Sequence, residues 1–162
     1  MKIARVTLSD RASEGVYEDA SGPEIERVVQ QLFADEIEWH RALLPDEGRG
    51  IEQALRRFAD EVRCPLIVTT GGTGPSPRDV TPEATRAVLE KELPGFGELM
   101  RMQSYAKVKT AILSRATAGI RGASLIINLP GRPGAVAECL PLLAPAICEA
   151  VEHLTGVRPI LR

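Results

Sequence analysis

The sequence predicts one α/β domain spanning residues 1–162, a doubly wound, mostly parallel sheet covered by helices on both faces. Three observations carry this expectation. Strand-like and helix-like stretches alternate three times along the chain, the pattern of successive βαβ units. The stretch PLIVTT (65–70) is apolar without interruption, as a strand buried on both faces of a parallel sheet must be. The length of 162 residues is enough for one substantial core, with no repeat, linker or low-complexity tract to divide it.

The elements follow in order. KIARVTL (2–8) mixes alternation with β-branched residues and reads as the first strand, and the polar SDRASEGVYEDASG as a loop. Ser21 and Glu24 have the spacing of a capping box, and Pro23 falls in the first turn, where its missing N–H is harmless. Ile25, Val28, Val29, Leu32 and Phe33 then recur at helical spacing and predict an amphipathic helix over 22–34. EIEWHRALL (36–44) alternates Ile37, Trp39, Arg41 and Leu43 with its polar neighbours and predicts a strand. Ile51, Leu55, Phe58 and Val62 mark a helix over 48–62, and the strand 65–70 comes next.

Thr81-Pro82-Glu83 reads as a helix start, with a capping threonine, a proline and an acid facing the positive end of the dipole. PGFGELMRMQSYAK (94–107) predicts a further short helix. TAILSRATAGIRGASLIINLPG predicts two extended segments around Arg121-Gly122, with 124–129 the better buried. From Pro133 onward the chain is helical and apolar nearly all round, and Pro141 and Pro145 are expected to break it into two helices.

Composition narrows the function. Apolar residues make up 44% and charged residues 26%, as in ordinary globular chains, and with aromatics at 4% the core has to be aliphatic. The net charge is −2, and no basic run is interleaved with aromatics, so nucleic acid is not expected as a partner. A small anion remains a candidate, because local charge and backbone N–H groups bind it whatever the total. Cys64, Cys139 and Cys148 show no C-x-x-C spacing and read as small buried hydrophobes. With His40 and His153 the only histidines, a zinc site has few candidates, and no bound transition metal, heme or flavin is expected. The opening MKIARVTLSD is too short an apolar run for a signal peptide or a membrane span, so a cytoplasmic location without membrane association is the expectation.

In doubly wound sheets ligands bind beyond the carboxyl ends of the strands. Four predicted strands run into LSDRAS, LLPDEG, TTGGTGPSPRD and NLPGRPG, loops that share one edge if those strands are parallel. Gly71, Gly72 and Gly74 can take positive φ and turn successive N–H groups into one concavity, which with a helix N-terminus binds phosphate. A plain tight turn is the competing reading, and the pattern is neither a P-loop nor G-x-G-x-x-G. Asp46 and Asp79 are the carboxylates at the strand ends; singly, Asp46 could cap the 48–62 helix and Asp79 could make an Asx-turn before Thr81. Two acids beside a phosphate nest repel an anionic ligand unless a hard cation lies between them. Mg²⁺ held by one or two carboxylates and phosphate oxygens is the usual arrangement. The combination points to phosphoryl or nucleotidyl transfer. Ser9, Asp10 and Ser13 either end a strand in a solvated turn or join the site, and Arg78, Arg115 and Arg132 are either phosphate contacts or solvated surface. The Asn128–Gly131 stretch is either a pocket wall or a turn into the next helix.

TTGGTGPSPRDVTPEAT (69–85) resembles the signature of the molybdenum-cofactor biosynthesis family typified by molybdopterin adenylyltransferase, which includes Mog-type proteins and the G domains of plant Cnx and of gephyrin. The similarity runs through LSDRAS, LLPDEG, PGFGELMRMQS and AILSRATAGIRGASLIINLPGRPGAVAECL, nearly the whole chain. It implies a three-layer α/β/α fold with a mixed sheet, usually trimeric, and Mg²⁺- and ATP-dependent adenylylation of molybdopterin with release of pyrophosphate. Asp46 in PDE and Asp79 in RDVTPE match the family's two essential aspartates, expected to be catalytic and to hold Mg²⁺. Gly71, Gly72, Thr73, Gly74, Ser114, Asn128, Pro130 and Gly131 fall where the family builds its nucleotide and pterin pockets, and Ser9 and Asp10 are grouped with them. ATP and molybdopterin are the expected substrates and a homotrimer the expected assembly, with transient contact to a molybdate-insertion protein. Molybdotransferases and competence-damage-type proteins share this domain but are generally multidomain. A noncatalytic molybdopterin-binding or scaffold paralogue is the reading from a different class, and retention of Asp46 and Asp79 argues against it.

Overall fold

Four parallel strands make up most of the single sheet of the computed structural model, which describes residues 1–162. The strands are β1 (Lys2–Leu8), β2 (Glu38–Leu44), β3 (Leu66–Thr70), β4 (Lys91–Glu92), β5 (Ala118–Arg121) and β6 (Ser124–Leu129), in the sheet order β2-β1-β3-β6-β5-β4. β2, β1, β3 and β6 run parallel, with Val6 opposite Thr69 and Thr69 opposite Asn128. β5 and β4 add an antiparallel edge. The sheet is therefore mixed and mostly parallel, as expected. The chain passes from β1 outward to β2 and then back to β3, so the topological switch point lies between β1 and β3.

Helices cover both faces: α1 (Asp10–Ser13), α2 (Ser21–Leu32), α3 (Gly48–Arg56), α4 (Thr81–Val88), α5 (Pro94–Lys107) and α6 (Pro133–Thr155). Strand alternation deals side chains to two cores. Ile3, Leu66, Val68, Leu125, Ile127 and Leu129 face a cluster built with α2, α5 and α6. Ala4, Val6, Leu8, Ile67 and Ile126 face a cluster built with α3 and α4. All three cysteines are free and buried in these cores.

Several local expectations are corrected. Ser21 lies inside the first turn of α2 and does not cap it; Asp19 Oδ1 accepts the Gly22 N–H at 2.9 Å instead, and Glu24 is paired with Arg27. Thr81 is likewise already helical, and its hydroxyl donates to the Gly71 carbonyl at 2.9 Å rather than capping α4. Helix 48–62 is α3 followed by one π turn at Arg57–Glu61. The segment expected to run extended into β5 first makes a short 3₁₀ turn at Lys109–Leu113, and the two-residue β4 has no sequence signal.

Pro141 and Pro145 do not divide the C-terminal stretch; α6 is one helix of 23 residues. Both prolines sit on its exposed side, where the carbonyls they leave without an N–H donor can reach water. The opposite side buries Val136, Cys139, Leu140, Leu143, Ala144, Ile147, Cys148 and Val151 at unbroken helical spacing, and that packing holds the helix together. By length and composition α6 could cross a membrane, but here it packs as a core helix.

Candidate functional site

Parallel pairing brings the carboxyl ends of β1, β2, β3 and β6, and so all four glycine-, proline- or aspartate-rich loops, to one edge of the sheet. The loop after β3 is held by backbone contact. Gly71 and Gly72 have φ of 95° and 66°, and a Cβ on Gly71 would collide with the Leu8 carbonyl at the end of β1. The Gly71 N–H donates to the Leu129 carbonyl at 3.2 Å, and the Thr70 hydroxyl donates to Pro130 O at 2.8 Å. A Cβ on Gly131 would be 3.2 Å from Gly71 Cα. The end of β1 and the loops after β3 and β6 thus meet at Gly71, where a side chain is excluded and the neighbouring Gly131 leaves little room for one.

Arg115 clamps the same loop from the far side. Its Nε donates to Gly74 O at 2.9 Å, its Nη2 to Asp79 O at 2.7 Å, and its remaining nitrogen pairs with Glu83. Its backbone N–H reaches Thr73 O at 2.8 Å. Of the two roles left open for Arg115, phosphate contact or solvated surface, the structure shows neither: its guanidinium is engaged within the loop. Arg78 is engaged too, in a bidentate pair with Asp10 at 2.9 and 2.8 Å. Arg132, at the N-cap of α6, is the arginine of the three that lines the cavities described below.

The loops after β1 and β2 are tied reciprocally. The Asp10 N–H donates to Asp46 Oδ2 at 3.1 Å, and the Asp46 N–H donates to Asp10 Oδ1 at 3.0 Å. Asp46 does not cap α3; Glu47 does, accepting from the Arg49 and Gly50 N–H groups at 3.0 and 2.8 Å. Asp46 Oδ1 is buried and has no hydrogen-bond partner. Burial pushes the Asp46 carboxyl above the ordinary carboxylate range; the Asp10 N–H opposes this, and the charges of Asp10 and Asp79 add to the rise. Asp10 is shifted the other way, lowered by hydrogen bonds from Arg78 and by the Asp46 N–H.

Asp79 Oδ2 accepts the Ser76 N–H at 3.0 Å. A Cβ on Gly74 would be 2.8 Å from that oxygen, and a Cβ on Gly72 would be 2.8 Å from Asp46 Oδ1. The two carboxylates bracket one glycine loop.

Two cavities open at this edge. The larger, about 680 Å³, is lined by Thr73, Gly74, Asp79, Ser114 and Pro130, with Arg101 and Ser104 of α5 opposite. The smaller, about 440 Å³, is lined by Ser9, Tyr17, Asp19 and Asp46. Gly71, Gly72, Gly131 and Arg132 belong to both and form the wall between them. Asp79 and Asp46 therefore stand on opposite sides of a wall made largely of glycine backbone.

Two residues expected in the pockets lie behind them. Asp10 holds Asp46 and Arg78 and lines neither cavity. Asn128 is fully buried in β6, its amide donating to Thr69 Oγ1 at 3.0 Å and Thr85 Oγ1 at 2.9 Å, which ties β3, β6 and α4 together beneath the loops. Tyr17 and Arg101 are additions. Arg101 donates to the carbonyls of Ser114 and Ala116 at 3.2 and 2.9 Å and so fixes the Ser114 loop against α5. Neither carries a spacing signal that separates it from any polar residue of a loop or helix.

No three His, Cys, Asp or Glu side chains converge into a closed metal site. The unpartnered, buried Asp46 Oδ1 suits a hard cation that completes its shell from phosphate oxygens and water, and Asp79 across the wall is close enough for its charge to raise the Asp46 carboxyl.

A family model described as a probable molybdopterin binding domain matches residues 4–149. The molybdopterin adenylyltransferase of Helicobacter pylori (strain J99) is 53% identical over 154 residues, covering 95% of this chain and 88% of that protein. That of Escherichia coli K12 is 47% identical, covering 94% of this chain and 78% of its own. Among solved structures, the molybdopterin biosynthesis enzyme MoaB of Thermus thermophilus superposes with a TM-score of 0.89 at 40% identity, covering 97% of this chain and 98% of its own. The tungsten cofactor synthesizing protein MoaB of Pyrococcus furiosus gives 0.83 at 35% identity, with 94% and 96% covered. With a family model spanning nearly the whole chain and relatives that share both sequence and fold, this chain belongs to the molybdenum-cofactor biosynthesis family whose domain is described as a probable molybdopterin binding domain.

Proposed function

We propose that this chain is a molybdopterin adenylyltransferase that moves AMP from ATP to the terminal phosphate of molybdopterin and releases pyrophosphate. The observation that carries the reading is the pair of cavities sharing the Gly71-Gly72 and Gly131-Arg132 wall, with Asp79 on one side and Asp46 on the other. Two substrates can be held apart by such a wall and meet at their phosphates. The names of the curated relatives support the same chemistry.

In the reaction an oxygen of the terminal phosphate bonds to the α-phosphorus of ATP. The α–β P–O bond breaks, and its electron pair leaves with pyrophosphate. A phosphate monoester has a second pKa near 6, so the nucleophile is mostly ionised at neutral pH and a general base gains little. The demand on the protein is to bring two polyanions together in line. Asp46 and Asp79 would hold Mg²⁺, which when bound supplies neutralising charge to the phosphates and the leaving group. Gly71, Gly72, Thr73, Gly74, Pro130 and Gly131 shape the phosphate channel, and Ser9 and Ser114 offer hydroxyls from either side. Arg132 brings positive charge to the wall. Asp10 positions Asp46, and Asn128 supports the β3 and β6 loops from beneath.

We further propose one domain over residues 1–162, a homotrimer, a cytoplasmic location and transient contact with a molybdate-insertion protein. The deciding experiment measures pyrophosphate release from ATP and Mg²⁺ with and without molybdopterin. Release that depends on molybdopterin and matches adenylylated product one to one is expected. Molybdopterin binding without any release would instead favour the noncatalytic scaffold reading.

A further inference from the structure

We infer that Tyr17 is the stacking platform of the smaller cavity, taking one face of a planar fused heterocycle against its ring. The inference rests on the adenylyl-transfer reading, in which both substrates, a purine nucleotide and a pterin, carry such a ring system.

Among the aromatic side chains of the chain, Tyr17 is the one that lines a cavity at the functional edge. It contributes to neither core cluster and is 52% exposed, so packing stability does not account for its placement. Its loop is nevertheless tightly held. The Tyr17 hydroxyl lies 2.8 Å from Ser9 Oγ, which also accepts the Ala12 N–H at 3.1 Å. On the N-terminal side the Val16 N–H donates to Arg11 O at 2.8 Å.

On the C-terminal side Asp19 is the anchor. Its Oδ2 accepts from Thr7 Oγ1 and from Arg5 Nη1, each at 2.9 Å, and its Oδ1 accepts the Gly22 N–H at 2.9 Å. Arg5 and Asp19 are each only 12% exposed, so this anchor is shielded from water. Gly22 is required there, because a Cβ would run into Arg5, Asp19 and Thr7.

An exposed aromatic ring whose hydroxyl is already partnered, on a loop fixed at both ends, has its ring face left to offer. A preorganised platform of this kind loses little freedom on binding. The same cavity is lined by Gly71, Gly72 and Gly131, which add no side-chain bulk against a flat group. Stacking of a base on an aromatic side chain is worth about a five- to hundredfold change in affinity on truncation.

The test is titration calorimetry of Mg²⁺·ATP and, anaerobically, of molybdopterin, against wild type, Tyr17→Leu and Tyr17→Phe. Tyr17→Leu should weaken one ligand about tenfold or more and leave the other within about twofold, and the weakened ligand identifies which heterocycle stacks. Tyr17→Phe should stay within about threefold of wild type for both, since the ring is kept. Unchanged affinities in Tyr17→Leu, or equal losses in the Leu and Phe variants, would overturn the inference while the functional reading stood. A wild-type protein that binds neither ligand would overturn both together.

Discussion

Gly72 and Asp46 touch as backbone against carboxylate: a Cβ on Gly72 would sit 2.8 Å from Asp46 Oδ1 and would also collide with the Thr81 hydroxyl. Gly72 holds φ at 66°, which disfavours any side chain. Gly72→Ala should therefore destabilise the protein by about 1–3 kcal/mol and weaken both substrates by displacing the shared wall. Gly48→Ala is the control, because nothing lies within 4 Å of that position. Denaturant melts and calorimetry of both variants check this, and wild-type binding by Gly72→Ala would refute the close packing.

Asp46 also sets a pH dependence. Burial raises its carboxyl in the folded state above the unfolded value near 3.9. The folded protein thus holds this proton more tightly than the unfolded chain does. Its contribution to stability is full below the unfolded pKa and is lost as pH rises through the folded one. Asp46→Asn removes that loss. Without ligand, the variant should melt no lower than wild type at pH 7, and any advantage should vanish near pH 4. Mg²⁺ with ATP should raise the wild-type melting temperature more than that of the variant. Melting curves across this range provide the check, and a variant clearly less stable at pH 7 than at pH 4, relative to wild type, has the wrong sign.

Arg115 reaches Gly74 O and Asp79 O while pairing with Glu83, a reach that a lysine ammonium does not reproduce. Arg115→Lys should leave a loop carbonyl unpaired, cost about 1–3 kcal/mol of stability and lower turnover at least tenfold as Asp79 loses its seat. Glu83→Gln should matter much less, since Glu83 is 53% exposed and its ion pair is screened. Pyrophosphate release and denaturation midpoints of the two variants separate these effects; equal losses would contradict the clamp.

The layers of this fold are legible because the cores reward simple patterns. β3 and β6 are fully buried strands with apolar runs at Leu66–Val68 and Leu125–Ile127, and α5 spans residues 94–107, the stretch its sequence predicts. Less legible is whatever depends on long-range partners. Arg78, Arg115 and Arg132 look alike in sequence, yet one is bound to Asp10 across 68 positions, one is threaded through the glycine loop across 41, and one lines both cavities. Asn128 ends a strand as a pocket residue would, but its threonine partners arrive from β3 and α4 and draw it into the interior. Pro141 and Pro145 break helices by local rule; here the buried face of α6 outweighs that rule. Asp46 and Asp79 are recognisable as strand-end acids, but their separation by a glycine wall is a property of four loops together.

That separation bears on how the two aspartates act. A general base would stand beside the nucleophile on one side of the wall, whereas charge neutralisation is needed on both sides, where the phosphates meet. The nucleophilic phosphate is already ionised near neutral pH, so removing a proton gains little. Asp46→Asn and Asp79→Asn should each lose most of the turnover, roughly a hundredfold or more, as expected when metal-dependent stabilisation of developing charge is lost. Molybdopterin affinity should stay within a few-fold of wild type in both, as expected where the pterin is held by groups other than the metal. Raising Mg²⁺ should restore part of the rate in at least one variant. The acid limb of the rate profile should stay near pH 6 in all three proteins, since it belongs to the substrate phosphate. If both variants instead keep the wild-type Mg²⁺ dependence and lose only a step that follows a proton-transfer pKa, the carboxylates act as bases and the assignment of metal ligands is wrong.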